Sequence, residues 1–316
     1  MNIQYCTLTD YAYVTKCLAL LESSRLYVEP AGIIDVLALD RAAAVRISDH
    51  ILRWNHPTVR VSLLSDVIDA PLLIAQQDRT PQEFAFTCGS WWLRRCLARA
   101  RENTAVVYLD ADSCWFGSPN PVFAEISYAS IALTPHRFAP EADKSANGYY
   151  NVNFVYARNN DTGQAFVDAW TRLCLAWCKN DPQPDGRYAD QGYLTDLAHR
   201  YPVFDIQNIG VNLAPWNNFQ YIYRSEEAIG VKAGHRADNL PPTLYVANEQ
   251  REDVIALYHF HETQVDVAGH ITRRTNWPLK EELIELLYSP YEKLLQQVST
   301  MPAPHYSGEE LWVPKS

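Results

Sequence analysis

The stretch AVVYLDADSCWFGSP, residues 105–119, decides the fold of this chain. Its first five residues, 105–109, are all apolar or aromatic, which predicts a central strand buried on both faces. The strand stops at the sequence DAD, and a Gly-Ser-Pro turn then leads the chain away. In extended backbone, two carboxylates that are two residues apart point to the same side. Asp110 and Asp112 could therefore share one divalent cation, and hard oxygen ligands suit Mg²⁺ or Mn²⁺.

An Asp-x-Asp triplet is a weak signal by itself, because most such triplets are solvated loop or capping carboxylates. The position of this one strengthens the metal interpretation. Ligands of open α/β sheets collect in the crevice beyond the carboxyl ends of the strands. Two unpaired carboxylates beside a buried strand would also be costly without a cation. The sequence therefore predicts a metal site at the end of the strand 105–109.

The composition limits the classes of protein to which this chain can belong. A chain of 316 residues with 47% hydrophobic content can form one large α/β domain or two small ones. It contains no apolar run long enough for a transmembrane helix and no secretory signal at its start, so a cytoplasmic protein is expected. Seven cysteines without framework spacing indicate reduced thiols. The net charge of −10 argues against nucleic acid as a partner, and a bound cation would supply positive charge locally for an anionic substrate.

Apolar runs alternate with helical patterns along the chain. Strands are predicted at residues 3–8, 33–39, 59–64, 105–109, 130–134, 148–158 and 254–261. Helices are predicted after Asp10, over 84–100, and from an N-cap at Asp161. A capping box, SPYE at 289–292, predicts the start of a closing helix, with a loosely held tail behind it. The alternation predicts an α/β fold with a largely parallel central sheet flanked by helices. No Gly-rich phosphate-binding motif of either common kind is present.

These motifs occur in an order that resembles a known family. The order is TLT near the start, LDAD in the middle, then YYNVNFV, ADQGYL and a late YHFH. It resembles the metal-dependent nucleotide-sugar glycosyltransferases of the GT-A fold, and in particular glycosyltransferase family 8, the glycogenin and lipopolysaccharide galactosyltransferase type. The resemblance covers residues 1–295. It implies a Rossmann-like nucleotide-diphospho-sugar transferase domain over 1–277, with C-terminal helices and the tail, 278–316, packed on it.

The resemblance also implies roles for individual residues. The metal ligands would be Asp110, Asp112 and His259, with His261 as the other candidate histidine. The nucleotide-sugar donor would contact Leu8, Thr9, Tyr13, Asp110, Ala111 and Asn151. The residues beside the reaction centre would be Asp190 and Gln191, and acceptor contacts would lie at Trp216-Asn217. A carboxylate pair with a neutral imidazole suits Mn²⁺, which accepts mixed oxygen and nitrogen ligands. Each of these residues also has a structural alternative, since Asp190 could cap a helix and Asn151 could bond to backbone.

The sequence departs from the family pattern at several positions. Glu262 stands where the family has a glycine, and the Lys-Pro-Trp sequence whose lysine holds the diphosphate is missing. Asn153 replaces the glycine of the family's Asn-x-Gly strand. The positive charge could come instead from arginines at 94, 95, 273 or 274. These departures leave the identity of the donor open.

The leading hypothesis is a Mn²⁺- or Mg²⁺-dependent glycosyltransferase that moves a sugar from a UDP-sugar to a glycan or glycolipid with retention of configuration. Its partners would be the donor and a carbohydrate or glycolipid acceptor, with peripheral membrane association as one possibility. An alternative is a non-catalytic nucleotide-sugar-binding protein, which the missing Lys-Pro-Trp favours. A third is a metal-dependent nucleotidyltransferase or phosphodiesterase, which would need basic or glycine residues near the first strand.

Overall fold

A seven-stranded sheet forms the centre of the molecule in a computed structural model, which describes residues 2–28, 32–56, 58–139, 147–226, 241–266 and 268–299. The strands of this sheet are β1 (Ile3–Thr9), β2 (Ile34–Ala38), β3 (Val59–Leu63), β4 (Ala105–Leu109), β6 (Ile131–Pro135), β7 (Tyr150–Arg158) and β8 (Val203–Asp205). Their order is β3-β2-β1-β4-β7-β6-β8. All pairs in the sheet are parallel except those of β7, which runs against both β4 and β6. The predicted α/β fold with a largely parallel central sheet is confirmed.

Smaller sheets lie outside the central one. Their strands are β5 (Ser113–Trp115) with β12 (Leu257–His259), β9 (Ile222–Ser225) with β10 (Leu244–Ala247) and β11 (Glu252–Val254), and β13 (Thr263–Val265) with β14 (Ile271–Arg273). The single strand predicted at 254–261 is therefore two short strands in different sheets. The apolar run does not show where one strand ends and the next begins, because the residues between them, Ile255 and Ala256, are buried as well.

Helices cover both faces of the central sheet. They are α1 (Val14–Tyr27), α2 (Arg41–Trp54), α3 (Leu64–Val67), α4 (Ala70–Gln76), α5 (Pro81–Arg99), α6 (Asn120–Glu125), α7 (Asp161–Ala176), α8 (Gly192–Ala198), α9 (Glu281–Leu283) and α10 (Ser289–Ser299). Side-chain hydrogen bonds cap the N-termini of several of these helices. Thr80 and Glu83 form a reciprocal capping box at α5. At α7 the cap is Asn160, whose side chain accepts from the amide of Gly163, so the predicted cap at Asp161 is wrong by one residue.

The C-terminal helix does not begin at the predicted capping box. α9 continues through a π-helical turn, Ile284–Tyr288, directly into α10. The backbone of Ser289 is helical, with φ −63° and ψ −43°, so this residue is not an N-cap. Pro290 has no N–H to donate to the preceding turn, and the wider π turn just before it accommodates that loss. The predicted tail at 300–316 lies outside the described residues.

Two hydrophobic layers pack on the central sheet. One layer joins α1 and α10 with β5 and β12, and it includes Tyr288, Tyr291 and Leu295 of the C-terminal segment. The other joins α5 and α7 and contains Trp91, Trp92 and Trp170. All seven cysteines are buried and unbridged, as their spacing predicted. In the described part of the chain, no helix has the length and apolar character to cross a membrane.

Candidate active site

The loop after β4 carries the two predicted metal-binding carboxylates. β4 is completely buried between β1 and β7, and the chain leaves the sheet at Asp110. The next residues form β5, which pairs antiparallel with β12 so that Ser113 lies opposite His259. The amide of Phe260 also donates to the carbonyl of Asp112 at 2.8 Å. This short two-stranded pairing brings a histidine from late in the chain to the carboxyl end of the central strand.

The three side chains form a compact cluster. His259 Nε2 lies 3.1 Å from Asp112 Oδ1 and 3.9 Å from Asp110 Oδ2. One ligand atom from each residue can be chosen so that all three lie within 4.8 Å of one another. Asp112 and His259 are buried, whereas Asp110 is partly open to solvent. Two carboxylates and an imidazole are a donor set that fits Mn²⁺ and also accepts Mg²⁺ through its oxygens.

The electrostatics of the cluster favour a cation. Burial, together with the charge of Asp112, raises the pKa of Asp110 to about 6. Burial acts in the same direction on Asp112, but His259 and Lys16 outweigh it and hold the pKa of Asp112 well below its ordinary value. Burial would lower the pKa of His259, and the nearby Asp112 carboxylate reverses that effect and raises it. The negative charge is therefore concentrated on Asp112, beside an imidazole that becomes a metal ligand when it is neutral.

His261 lies outside this cluster. Its Nε2 is 3.8 Å from Glu262, and its side chain is 46% exposed. Its ring packs edge-on against Trp216 at 5.5 Å and faces His259 at 5.7 Å. Within the described residues, the group of potential ligands that lie together includes His259 and not His261.

Lys16 lies beside the cluster, although the sequence analysis did not single it out. Its Nζ is 3.9 Å from Asp112 Oδ2 and 3.7 Å from the centre of the Tyr13 ring. Lys16 is buried, and burial lowers its pKa while Asp112 opposes that shift. The sequence does contain one indication of it, because the lysine occupies a largely apolar helix sequence, VTKCLALL, that follows the first strand.

Asp190 is the second buried carboxylate near the metal cluster. Ala189 has a left-handed backbone, with φ 46°, and this turns the chain so that Asp190 faces inward. Burial and the charge of Asp110 together raise the pKa of Asp190 to about 8. Gln191 is tied to the loop that precedes β7, because its Nε2 donates to the carbonyl of Asn147 at 2.8 Å. The charge of Asp110 therefore acts on Asp190, while the catalytic roles of Asp190 and Gln191 stay predictions.

A buried amide network lies at the start of β7. Asn151 Oδ1 accepts from the amide of Asn153 at 3.0 Å, and its Nδ2 lies 3.3 Å from His136 Nε2. The side chain of Asn153 accepts from the hydroxyl of Ser113 and donates to Asn212. Asn153 is fully buried, so the amide that replaces the family's glycine joins β7 to β5. Burial lowers the pKa of His136 to about 4 and keeps the imidazole neutral.

Trp216 and Asn217 are both buried near this network. The indole of Trp216 donates to the carbonyl of His136 at 3.0 Å and packs edge-on against His259 at 5.4 Å. The amide side chain of Asn217 is bonded to backbone on both sides, accepting from Ala214 and donating to His136. Trp216 therefore packs against the histidine of the cluster, and an acceptor contact at Trp216 and Asn217 stays a prediction.

The residues expected around the donor differ in accessibility. Leu8 and Thr9 are buried at the end of β1, and Ala111 is buried in the loop after β4. Tyr13 is 44% exposed, and burial and the charge of Asp112 together raise its pKa to about 12. Tyr13 thus lies at the edge of the cluster with part of its ring open to solvent, while the other three offer mainly backbone atoms.

Arg94 and Arg95 lie far from the cluster. They belong to the end of α5 that leads into the start of β4, whereas Asp110 follows the end of that strand. Arg94 forms an ion pair with Asp168 at 2.6 Å, and the guanidinium of Arg95 stacks over Trp91. Both line a pocket of about 380 Å³ between α5 and α7. They do not supply the positive charge expected beside the metal site.

The two later arginines are placed differently. Arg273 is held by two hydrogen bonds to the carboxylate of Glu292, at 2.5 and 2.9 Å. Arg274 is exposed, and its backbone amide donates to the carbonyl of Glu262 at 3.0 Å. Both arginines therefore lie beside the segment that follows His261, because Arg273 pairs with Thr263 in the β13–β14 hairpin.

The chain resembles known proteins in both sequence and structure. Residues 92–229 match the family model described as nucleotide-diphospho-sugar transferase, and the matched segment includes both carboxylates and Asp190. The uncharacterized protein YfnF of Bacillus subtilis (strain 168) is 25% identical over 317 residues, which cover 98% of this chain and 97% of the relative. The uncharacterized protein YfnD of the same organism is 24% identical and covers 92% of this chain and 88% of the relative.

A solved structure shares the fold. The galactosyltransferase LgtC, crystallised with donor and acceptor sugar analogs, superposes with a TM-score of 0.55. The alignment covers 95% of this chain and 97% of that one, at 13% identity. The chain therefore shares the GT-A fold, its residues 92–229 resemble nucleotide-diphospho-sugar transferases, and the likeness agrees with the resemblance to family 8 glycosyltransferases that its sequence motifs indicated.

Proposed function

We propose that this protein is a metal-dependent glycosyltransferase that moves a sugar from a nucleotide-diphosphate donor, a UDP-sugar, to a glycan or glycolipid acceptor with retention of configuration. One observation carries the proposal. Asp110, Asp112 and His259 meet at the carboxyl end of the central strand, in a chain with a nucleotide-diphospho-sugar transferase domain. This is the edge of an open α/β sheet at which ligands bind.

Asp110, Asp112 and His259 would hold Mn²⁺ or Mg²⁺. When bound, the cation acts as a Lewis acid on the leaving diphosphate and offsets the charge that develops there. The protein's part is to keep the ligands oriented. The ring of Trp216 packs edge-on against His259, and the pairing of β5 with β12 fixes the backbone beside Asp112. Supporting contacts of this kind hold metal ligands in a fixed orientation.

Asp190 and Gln191 would face the donor sugar. The raised pKa of Asp190 leaves much of this carboxyl protonated near neutral pH, so it can donate a hydrogen bond to a sugar hydroxyl. Its ionised form would stabilise positive charge that develops at the anomeric carbon. Gln191 is anchored through its Nε2, which leaves its carbonyl oxygen as the group that could accept from the substrate. On the donor side, Tyr13 would pack on the nucleotide, with backbone atoms of Leu8, Thr9 and Ala111 and the side chain of Asn151 completing the site.

The test is UDP release from a panel of UDP-sugars, with and without Mn²⁺, using simple sugars and glycolipids as acceptors. We expect turnover with at least one donor that requires the cation and is lost in Asp112→Ala. Analysis of the anomeric configuration of the product by NMR then checks retention. Turnover that is equal without metal, or unchanged in Asp112→Ala, would remove the assigned site from the mechanism.

The alternative of a non-catalytic binder makes a different prediction in the same assay. Calorimetry would show donor binding that depends on Mn²⁺, while no UDP is released with any acceptor. A cytoplasmic location and contact with a membrane surface are also proposals, and fractionation of cells that produce the full chain tests both.

A further inference from the structure

Lys16 is a buried cation with an unusual environment. It lies on α1, which is buried on most of its faces, and the residue is only 3% exposed. Its Nζ points toward the metal cluster, 3.9 Å from Asp112 Oδ2, and packs over the ring of Tyr13. A lysine in such a helix would ordinarily extend its ammonium into solvent. Here the ammonium extends toward the cluster instead.

The ammonium is not satisfied by the protein. It has three N–H donors, and the Asp112 oxygen at 3.9 Å is beyond hydrogen-bonding distance. Among the residues that the structure describes, it contacts the Asp112 carboxylate and the face of the Tyr13 ring, and neither contact is a conventional hydrogen bond. Because the lysine side chain is largely withdrawn from water, a ligand oxygen that accepted from these donors would offset the cost of that burial.

The two oxygens of Asp112 face different partners. Oδ1 faces His259 Nε2 at 3.1 Å, and Oδ2 faces Lys16. The residues that would hold a cation and the ammonium of Lys16 therefore meet at one carboxylate. A diphosphate has several oxygens, so one group could bind the cation and also accept from the ammonium. Lys16 and the metal would then present positive charge to one anionic group from two directions.

We propose that Lys16 binds the diphosphate of the metal-bound donor, and so supplies the positive charge that the missing Lys-Pro-Trp sequence leaves unaccounted for. This inference rests on the proposed function, because the diphosphate belongs to the nucleotide-sugar. Three of the four arginines considered for that role are paired or stacked elsewhere. In the described part of the chain, Lys16 is the lysine that forms an ion pair with the metal cluster.

The experiment measures binding by calorimetry on the full chain, with three probes: Mn²⁺ alone, pyrophosphate in saturating Mn²⁺, and uridine. In Lys16→Met, we expect the affinity for pyrophosphate to fall about 10- to 100-fold, because one charge-assisted hydrogen-bonding group is lost. The affinity for Mn²⁺ alone should stay equal or become tighter, because a repelling charge has been removed. Uridine has no phosphate, so its binding should not change.

Two further variants make the result specific. Lys16→Arg keeps the charge and should recover part of the pyrophosphate affinity. Lys293→Met removes an exposed charge from α10 and serves as the matched control, with no change for any probe. Thermal unfolding of each variant shows whether it has folded. Equal losses for Mn²⁺, pyrophosphate and uridine in a folded Lys16→Met protein would overturn the proposal, since Lys16 would then only hold Asp112 in place.

The outcome is separate from that of the proposed function. Weaker pyrophosphate binding in Lys16→Met, with no turnover of any UDP-sugar by the unsubstituted protein, would support Lys16 and contradict the transferase. Turnover by the unsubstituted protein, with unchanged pyrophosphate binding in Lys16→Met, would support the transferase and contradict the role of Lys16.

Discussion

Asp110 and Asp112 are two residues apart but have opposite electrostatic environments. Asp112 is buried between His259 and Lys16, and its pKa is held below the ordinary range. Asp110 lies nearer to solvent, and burial with the neighbouring charge raises its pKa to about 6. Asp112 is therefore the carboxylate that stays ionised to the lower pH. It should contribute more than Asp110 to holding a cation in weakly acidic solution.

The substitution Asp112→Asn tests this assignment directly. It keeps the shape of the side chain and removes the charge. Loss of a residue that only supports a metal ligand typically lowers metal affinity roughly 10- to 100-fold, and we expect loss of a ligand itself to lower Mn²⁺ affinity by more. Titration of Mn²⁺ followed by electron paramagnetic resonance measures the change. Asp66→Asn, at an exposed position, is the control and should bind Mn²⁺ normally. Unaltered binding in Asp112→Asn would place the cation elsewhere.

Asp190 makes the stability of the protein depend on pH. Its pKa is about 8 in the folded protein and ordinarily near 4, so between these values the folded state binds more protons than the unfolded state. Stability should therefore fall as pH rises through this window. Asp190→Asn removes the ionisable group, and we expect its Tm to exceed that of the unsubstituted protein by roughly 2–8 °C at pH 8 and to differ little at pH 4.5.

Calorimetric scans at the two pH values check this expectation. Asp181→Asn, in the loop before Asp190, is an exposed control that should leave the difference between the two pH values unchanged. If Asp190→Asn lowered the Tm equally at both pH values, the carboxylate would be a structural hydrogen-bond acceptor. Loss of transferase activity in the same variant, together with higher stability, is the usual pattern for a strained functional site.

Individual side chains differ in how far the sequence predicted them. Asp110 and Asp112 could be predicted because a buried strand and two charged residues are neighbours in the chain. For Lys16 the sequence offers only the signal of a lysine in a largely apolar helix, and its position beside Asp112 depends on the direction of its ammonium in the folded protein. The hydrogen bonds of Asn153 likewise depend on the fold, because its side chain joins Ser113 and Asn212 in a buried network.

At the level of elements, the pairing of β5 with β12 completes the cluster. Each strand has only three residues, and so short a pattern does not allow their pairing to be predicted from the sequence. Gly210 makes this pairing possible. Its carbonyl accepts from the amides of Ala256 and Leu257, and a Cβ at this position would lie 1.9 Å from the carbonyl oxygen of Val254. The segment around Gly210 therefore supports the start of β12 through close backbone contact.

Gly210→Ala should displace β12 and loosen the cluster. We expect a loss of roughly 1–3 kcal/mol in the free energy of unfolding, because the added methyl group meets backbone that cannot move easily. Weaker binding of Mn²⁺ should accompany it, since β12 ends at His259. Gly186→Ala has a comparable backbone penalty, from a φ of 86°, but its Cβ meets nothing within 4 Å. It should lower stability without weakening Mn²⁺ binding, and equal effects of both on the metal would contradict the argument.

Across the whole molecule, the sequence predicted the central sheet better than the segments that pack on it. The strand patterns in the first half of the chain are long and flanked by turns, so their α/β arrangement followed from periodicity. The reversed direction of β7 depends on the chain path and has no local signal. In the C-terminal part, a π-helical turn joins α9 to α10, whereas the sequence SPYE indicated a new helix. The division of the chain at residue 277 stays a prediction.

The C-terminal helix α10 contacts the segment that carries His259 through Tyr291. Its ring stacks on Phe260 with centroids 3.7 Å apart, and Phe260 lies between the two histidines in the chain. Tyr291 is buried, so Tyr291→Ala should cost about 3–5 kcal/mol, measured by urea denaturation. Its hydroxyl has no hydrogen-bond partner among the described residues, so Tyr291→Phe should be neutral or stabilising. A large loss in Tyr291→Phe would show that the hydroxyl is bonded, and a small loss in Tyr291→Ala would mean that α10 does not support the site.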